Sequence, residues 1–369
     1  MRIVLLAVEP SADLHAAALV KSLKNQRDDI HFEGMGGSKM KAEGVSVWED
    51  VTSSSEMGVT SFSSLRRWAK RIKDTRQRLL DNPPDAVISV DSPDFNLRVV
   101  KGLRGLMKTI EYVAPQAWAW REKRKEIVGQ LYDHLMVIWP FEKDFFAGFG
   151  AEVTWVGVPS LDHLQEDLSK QTVAELPLGA RVVAMLPGSR PREIQLNMDL
   201  FVDTAKELLK EFSNLYFLIP RVPSLDKALF KRAEELGDHV VIQEGGALAC
   251  MNRSEMAMAV NGTVTIEAMF LCVPHVMTYG ATRLQQMIYK PLMKTKYFNM
   301  ANILKQKEIV PELLLKRRTV NNMVKECKAL LEGPAAEKQK QAFKEIRHEL
   351  GGPGVSDRAA KVVLEVLDG

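Results

Sequence analysis

Cysteine is scarce in this chain, and its scarcity excludes two kinds of organising feature. The 369 residues include three cysteines, Cys250, Cys272 and Cys327. None is paired with another at zinc-ligand spacing, and an odd number of scattered cysteines does not make a disulfide framework. The pattern is typical of a protein from a reducing cytosol.

Long apolar runs and a strong net charge are also missing. No stretch of about 18 apolar residues occurs, so no segment is predicted to span a membrane. The apolar start, residues 1–7, is short and soon interrupted by Glu9, which predicts a buried strand rather than a signal peptide. The net charge of +3 gives no support to a nucleic-acid partner.

What the chain does contain is an alternation of short apolar runs with amphipathic segments. This pattern predicts βαβ units and a parallel sheet. A first series predicts strands at residues 3–7, 86–90, 109–113 and 134–139, with helices at 13–23, 96–107 and 121–130. A second series predicts strands at residues 181–186, 215–219, 240–243, 256–260 and 274–278, with a long helix at 193–212. The region from 320 to 367 is predicted to be helical, with a break at 351–354.

The two series imply two domains, and a chain of 369 residues suits two domains of about 150–200 residues each. Residues 160–178 are polar and poorly periodic, so the boundary is placed there. We expect a Rossmann-like domain at residues 1–165, a second at 175–345, and a C-terminal helix at 346–369 that packs on the N-terminal domain or on a partner. The two domains are expected to form a cleft, with ligands beyond the carboxyl ends of the strands.

One candidate site is the sequence Leu-Pro-Gly-Ser-Arg at residues 186–190. A strand is predicted to end there and a helix to begin, and free N–H groups at a helix start suit a phosphate. Gly188 lets the backbone turn closely, Ser189 adds a hydroxyl, and Arg190 adds a positive charge. The alternative is an ordinary strand-to-helix turn with a solvated arginine.

A second candidate site lies at Asn261, Gly262 and Thr263, again between a buried strand and a helix. These residues suit a phosphate or a helix cap. Glu267, one turn further on, is placed to accept hydrogen bonds from ribose hydroxyls. The alternative is a capping box formed by Thr263 and Glu267, without a ligand.

Carboxylates follow the predicted strands of the first domain. Asp91 comes directly after the strand at 86–90, where desolvation can raise its pKa enough for general-base work. The alternative is that Asp91 and Asp94 cap the next helix, which fits Asp94 better. Acidic and small residues also follow the first strand at 9–13 (Glu9, Ser11 and Asp13), and a glycine-rich segment at 32–37, taken as a loop that includes Gly36, is expected beside them.

Two aromatic features have both a functional and a structural interpretation. Trp118 and Trp120 follow a strand and either line a sugar or acyl pocket or belong to the core. Residues 62–80 predict a basic amphipathic helix, which suits an anionic membrane surface or a surface helix packed on its own domain. Its candidate membrane residues are Phe62, Leu65, Trp68, Arg66 and Arg67.

Together and in this order, these segments resemble the lipid-A-disaccharide synthases of Gram-negative bacteria. The resemblance extends over nearly the whole chain. Its jointly specific motifs are Trp-Ala-Trp at 118–120, Pro-Asp-Phe-Asn at 93–96 and Leu-Pro-Gly-Ser-Arg at 186–190. It also covers the turn at 9–13 and residues 32–40, 57–58, 140–142, 156–157, 262–267 and 302–314.

The resemblance implies a GT-B-like α/β fold and an inverting glycosyl transfer without a metal or other cofactor. The implied donor is UDP-2,3-diacylglucosamine and the acceptor 2,3-diacylglucosamine 1-phosphate (lipid X), giving a β(1→6) disaccharide and UDP. It makes Asp91 the general base and Arg190 the essential arginine. It implies that the donor is bound by Gly188, Ser189, Asn261, Gly262, Thr263, Glu267 and Asn302, and that the acceptor side of the cleft is lined by Glu9, Ser11, Asp13, Gly36, Trp118 and Trp120.

The same resemblance implies a cytoplasmic protein that is peripheral on the inner membrane, where both acylated substrates reside. The basic helix from Phe62 is then expected to contact the anionic membrane surface. No nucleic acid is expected as a partner. The helical tail permits a homodimer.

The chain departs from the usual family residues at eight positions. The family usually has glycine at three of them and other residue types at five: Val8, Ala12 and Ala16, then Ser61, Val158, Asn261, Ala301 and Leu315. An added Cβ matters where the backbone approaches a ligand. The alternatives are therefore another UDP-sugar enzyme of the same fold, such as a lipid-linked GlcNAc transferase or an epimerase, or a non-catalytic relative of the synthases.

Overall fold

A computed structural model describes residues 1–52, 62–119, 122–280 and 295–369, and within the helix that begins at Phe62 it describes side chains from residue 66 onward. The chain forms two compact units. The first consists of Met1–Asp162 and Gly352–Gly369, and the second of His163–Gly351.

The first unit contains a parallel sheet of seven strands in the order β3-β2-β1-β4-β5-β6-β7. Its strands are β1 (Arg2–Leu6), β2 (His31–Gly36), β3 (Ser46–Asp50), β4 (Ala86–Val90), β5 (Lys108–Tyr112), β6 (His134–Val137) and β7 (Glu152–Trp155). The order reverses between β1 and β4, which are hydrogen-bonded neighbours. This is the switch point where ligands of open α/β sheets bind.

The helices of the first unit cover both faces of this sheet. They are α1 (Pro10–Gln26), α2 (Ser38–Ala42), α3 (Phe62–Asp81), α4 (Pro93–Val100), α5 (Arg124–Leu131) and α6 (Pro140–Phe146), with a 3-10 turn at Ala117–Ala119. Helix α7 (Ser160–Ser169) begins in this unit and continues into the second. Apolar side chains on the two faces of β1 and β4 belong to two separate core clusters, so both faces of the sheet are buried.

The second unit has a parallel sheet of six strands in the order β10-β9-β8-β11-β12-β13. Its strands are β8 (Arg181–Leu186), β9 (Leu215–Arg221), β10 (Val240–Glu244), β11 (Met256–Val260), β12 (His275–Thr278) and β13 (Glu312–Leu313). The switch point falls between β8 and β11, which pair in parallel. Both candidate motifs of this half follow these two strands.

The helices of the second unit are α8 (Pro191–Leu209), α9 (Ala247–Arg253), α10 (Thr263–Phe270), α11 (Met300–Lys305), α12 (Val320–Glu332) and α13 (Ala335–Glu349), with 3-10 segments at Lys227–His239 and Leu315–Arg317. Helix α8 carries a stripe of buried residues that includes Met198, Phe201 and Ala205. This stripe packs into the main core of the unit, as its 3.6-residue spacing predicts.

The last helix, α14 (Val355–Asp368), belongs to the first unit. Its buried Val355, Ala359 and Val363 join the core cluster that contains α1. Asp162 accepts hydrogen bonds from the N–H groups of Gly354, Val355 and Ser356, at 2.7, 2.9 and 2.8 Å. A carboxylate at a helix N-terminus satisfies otherwise unpaired donors and complements the helix dipole.

Three local predictions differ from the structure. The segment at 32–37, predicted as a loop, is mostly strand β2, and Gly34 is required there because a Cβ would overlap the backbone of Leu5 on β1. The helix predicted at 96–107 ends at Val100. The polar region at 160–178 contains helix α7. Across the described residues, no helix is long and apolar enough to cross a bilayer.

Candidate functional site

Asp91 lies at the carboxyl end of β4, beside the end of β1. The two strands pair with Leu6 opposite Ser89, so Glu9 and Asp91 follow neighbouring strand ends. Asp91 and Ser92 both have φ of 50°, a left-handed conformation that non-glycine residues adopt at a cost of about 1–3 kcal/mol each. Such strain persists where surrounding contacts hold it, and it is concentrated at functional sites.

Asn96 supplies those contacts. Its buried side-chain amide donates to the carbonyl of Asp91 at 2.6 Å and lies 3.4 Å from the carbonyls of Leu6 and Val90. One side chain therefore ties the ends of β1 and β4 to the strained turn. The motif containing Asn96 was visible in the sequence, but its role was not, because the role depends on the pairing of β1 with β4.

The environment of Asp91 suits a general base. Burial, followed by the negative charge of Glu9, raises the pKa of Asp91 to about 6. At pH 7 or above the carboxylate is therefore ionised, yet more basic than a solvated aspartate. A base with a pKa near the working pH combines the correct protonation state with a useful proton affinity.

A second carboxyl group lies deeper, on the neighbouring strand. Glu111 on β5 pairs with Ser89 on β4, and the hydroxyls of Ser89 and Tyr132 are near its carboxyl. Glu111 is fully buried, and burial raises its pKa well above the ordinary value. Because burial disfavours the ionised form of Glu111, Asp91 rather than Glu111 is the candidate base of this strand pair.

Asp13 has a structural role instead of the expected place on the acceptor side. It is 3% exposed, and its oxygens accept from the N–H groups of Gly37, Lys39 and Met40 at 2.7, 3.0 and 3.1 Å. It therefore caps α2 and fixes the glycine turn at its start. Gly36 is buried in the same turn, where a Cβ would meet Met40 and Asp13. Ser11 is exposed in the first turn of α1.

Trp118 is anchored by its polar end. Its indole N–H donates to Glu142 at 2.8 Å, and its ring packs edge-on against Phe141 with centroids 5.2 Å apart. Glu142 is fully buried, also accepts from the N–H groups of Ile138 and Trp139, and has its pKa raised to about 7 by burial. Trp118 is half-buried, so one part of its ring remains available. Trp120 lies outside the described residues.

Helix α3 turns Trp68 and Ile72 toward its own unit. Trp68 packs edge-on against Phe95, with ring centroids 5.3 Å apart, and Trp68 and Ile72 pack on the core of the first unit. This corrects the expectation that Trp68 contacts a membrane, because its indole is already covered by its own unit. Arg66 and Arg67 are exposed, and the side chains of Phe62 and Leu65 lie outside the described part of the chain.

In the second unit, Gly188 to Arg190 form the turn between β8 and α8. Gly188 has φ of 130°, and a Cβ there would lie 2.7 Å from the Oε2 atom of Glu193. Glu193 accepts from the Ser189 N–H at 3.0 Å and pairs with Arg190 at 3.2 Å. The side chain of Arg190 is 77% exposed. The turn thus presents an accessible guanidinium beside the start of a helix.

The second motif of this unit leaves a helix start open. Gly262 precedes α10 with no side-chain cap, and among the described residues no atom beyond its chain neighbours lies within 4 Å of where its Cβ would be. The capping-box interpretation was therefore wrong. Thr263 is exposed, whereas Thr265 donates to the Gly262 carbonyl at 2.8 Å and Asn261 donates to the Phe298 carbonyl at 3.3 Å.

Glu267 lies one turn further along α10. Burial, with the negative charge of Asp167 as the second cause, raises the pKa of Glu267 to about 6. A partly buried carboxylate that does not serve as a helix cap is suited to accept hydrogen bonds from a ligand's hydroxyl groups.

Asn302 is a framework residue and not an exposed donor contact. It is 0% exposed. Its amide donates to the Val310 carbonyl and to Glu312, and accepts from the N–H groups of Ile309 and Val310, all within 2.7–2.8 Å. Because all four hydrogen-bonding positions of the amide are occupied, the expected contact between Asn302 and the donor is corrected to a bracing role.

Glu312 is the hub of that brace. Its Oε1 atom accepts from the N–H groups of Phe298 and Asn299, both at 2.9 Å, as well as from Asn302. Glu312 lies within residues 302–314, which the family resemblance covers, but that resemblance did not indicate what it holds. Across the described residues, no three His, Cys, Asp or Glu side chains gather as metal ligands do.

Solved structures of related shape share this fold. UDP-GlcNAc 2-epimerase from Neisseria meningitidis, bound to UDP-GlcNAc, matches with a TM-score of 0.65 at 15% identity, over 100% of this chain and 99% of that one. The glycotransferase of kitacinnamycin matches with a TM-score of 0.64 at 16% identity, over 99% and 98%. These likenesses confirm the α/β, GT-B-like fold class of two Rossmann-like units.

Sequence comparison is more specific. The family described as lipid-A-disaccharide synthetase matches residues 3–366. The lipid-A-disaccharide synthase of Myxococcus xanthus is 33% identical over 99% of this chain and 97% of its own length. That of Pseudoalteromonas translucida is 34% identical over 100% and 98%. The chain belongs to the lipid-A-disaccharide synthase family of glycosyltransferases.

Proposed function

We propose that this chain transfers 2,3-diacylglucosamine from UDP-2,3-diacylglucosamine to the 6-hydroxyl of 2,3-diacylglucosamine 1-phosphate, with inversion. The observation that carries the proposal is Asp91, a strand-end carboxylate with a pKa of about 6 that is held in a strained turn by Asn96. Two other described acids of this unit are less suited to the role, since burial disfavours the ionised form of Glu111 and Asp13 caps α2.

The proposed step forms one bond and breaks another at the same carbon. The acceptor oxygen attacks C1 of the donor sugar, and its proton passes to Asp91. The bond between C1 and the phosphate oxygen breaks, and UDP leaves with the electron pair. Arg190 and the open N–H groups at the start of α10 stabilise the charge that develops on UDP. Gly188, Ser189, Asn261, Gly262 and Thr263 shape the diphosphate site, and Glu267 accepts from the ribose.

Three departures from the usual family residues are consistent with an active enzyme. Val8, Ala12 and Ala16 are all buried in the cores of the first unit, at 4%, 0% and 0% exposure. Their side chains fill space between the sheet and its helices. None of the three side chains is exposed, which is consistent with a role in packing rather than in direct contact with a ligand.

The direct test supplies purified protein with both diacylglucosamine substrates in mixed micelles. We expect a disaccharide 1-phosphate and UDP in equal amounts, with a β-linkage visible by NMR. Release of UDP without the acceptor would exclude the transferase and favour an epimerase. Donor binding without turnover in a single-turnover assay would exclude the transferase and favour a non-catalytic relative.

We further propose that the protein is peripheral on an anionic membrane through the outward face of α3. Arg66, Lys70 and Lys73 are exposed on this helix, while Trp68 and Ile72 pack inward. Attachment is then electrostatic, worth about 1 kcal/mol for each basic residue near the surface, and sensitive to salt.

Reversing these three charges (R66E, K70E and K73E together) is expected to lower partitioning onto vesicles with 30% phosphatidylglycerol by at least about a hundredfold at low salt. Co-sedimentation measures it. The matched control reverses three exposed lysines of the second unit, as K325E, K338E and K344E. If both triple variants lose vesicle binding equally, the net charge of the protein, rather than this face of α3, is what attracts it to the vesicles.

A further inference from the structure

Arg318 is a partly buried arginine between the 3-10 turn at Leu315–Arg317 and helix α12. Its Nη2 atom donates to the side-chain oxygen of Asn197 at 3.0 Å and also contacts the carbonyl of Leu196 at 2.5 Å. Its Nε atom is buried and, within the described chain, has no acceptor. Arg318 therefore reaches across from β13 to the beginning of α8.

No acidic side chain compensates the charge of Arg318 among the residues that the structure describes. Its described partners are the neutral oxygens of Leu196 and Asn197. Burial lowers the pKa of the guanidinium, and within the described part of the chain no counter-charge opposes that effect. Desolvating a cation without an anion is costly, and the cost is reduced when an anionic ligand binds nearby.

Asn197 connects Arg318 to the turn at 187–190. It is 1% exposed, and its amide nitrogen donates to the carbonyl of Glu193 at 2.6 Å and lies 3.4 Å from that of Pro187. Glu193 in turn holds the Ser189 N–H and the Arg190 guanidinium. An unbroken series of contacts thus runs from Arg318 through Asn197 to the turn that carries Gly188, Ser189 and Arg190.

We propose that Arg318 is a positioning residue for the nucleotide diphosphate site. Arg318 fixes the turn at 187–190 through Asn197 and places an uncompensated positive charge behind that turn. This rests on the proposed function for the identity of the ligand, UDP. Because Arg318 holds Asn197 by its side-chain oxygen, the amide nitrogen must face the Pro187 and Glu193 carbonyls. The turn is then preorganised before the anion arrives.

The test measures UDP and uridine affinity by calorimetry for wild type, R318M, R318K and N197L. We expect R318M to weaken UDP binding about tenfold and to leave uridine binding within about twofold, because uridine lacks the phosphates. R318K keeps the charge without the planar fork of the guanidinium, and its UDP affinity is expected to lie between those of wild type and R318M. R317M is the matched control, since Arg317 is exposed and pairs with Glu308 at 2.7 Å; it should bind UDP as wild type does.

A second measurement separates positioning from a purely structural role. If Arg318 acts through Asn197, the double variant N197L/R318M is expected to bind UDP no more weakly than R318M alone. Equal UDP affinity in R318M, R317M and wild type would overturn the inference, as would equal losses for UDP and uridine. If R318M does not fold, the UDP and uridine affinities of R318K are compared with those of wild type and R317M in the same way. If the wild type makes no disaccharide but still binds UDP more tightly than R318M does, this inference is supported and the proposed transfer is rejected.

Discussion

Replacing Asp91 by asparagine is expected to lower kcat for disaccharide formation by at least about a thousandfold and to leave UDP affinity within about twofold. Asparagine preserves the size and the left-handed backbone preference of the residue but cannot accept the acceptor's proton, and a positioned base contributes about 10²–10⁴ in rate. Asp94, exposed and paired with Arg124 at 2.9 Å, provides the matched control. D94N should retain activity within about twofold, and an equal loss in both variants would remove Asp91 from its proposed role.

The pH dependence of the same step follows from the raised pKa. Asp91 acts as a base only when ionised, so kcat/KM should rise with pH through about 6 and then level off. Glu9 contributes to the raised pKa by its negative charge, so E9Q should move the midpoint of this rise to lower pH. A midpoint that stays in place in E9Q, or moves upward, would contradict the proximity of the two carboxylates.

Replacing Arg190 by methionine is expected to lower kcat by about 10²–10³, the usual effect of removing one group that stabilises developing charge. The loss should be larger in kcat than in UDP affinity, because Arg190 is highly exposed in the free protein and its contact is expected to tighten as the leaving group separates. Arg192, exposed two residues later, gives the control variant R192M. Steady-state kinetics with both substrates separate the two parameters.

A loss confined to UDP affinity in R190M would show that Arg190 binds donor and transition state equally. A loss shared by R192M would mean that the general positive charge of this helix start, and not Arg190, carries the effect. R190K is expected to recover part of the activity, since it restores the charge without the guanidinium geometry.

The elements with strong local patterns were predictable from the sequence. The strands Ala86–Val90, Arg181–Leu186 and Met256–Val260 have the bounds that their apolar runs predicted. Strand β2 was missed because Gly34, Gly36 and Gly37 have the composition of a loop, although Gly34 is needed for close approach to β1. Packing between neighbouring strands, which a single sequence does not display, explains this failure.

The residues of the candidate site also fall into those that the sequence identified and those that it did not. Asp91 and Arg190 were identifiable because they follow strand ends within recognisable motifs. The support provided by Asn96, Asn197 and Arg318 was not identifiable, since it depends on tertiary contacts with partners up to 122 positions away along the chain. Trp68 and Asn302 were misplaced for a related reason: residue type suggested a surface or ligand role, whereas the tertiary contacts of each side chain were made within its own unit.

The position of helix α14 has a consequence for how the protein is made. Its 14 residues complete the core around α1, and Asp162 binds their leading N–H groups. Because α14 follows the whole second unit in the sequence, the core around α1 is expected to stay incomplete during synthesis until this helix has emerged from the ribosome. We therefore expect the first unit to expose part of its apolar core for longer during synthesis than a unit built from continuous sequence would.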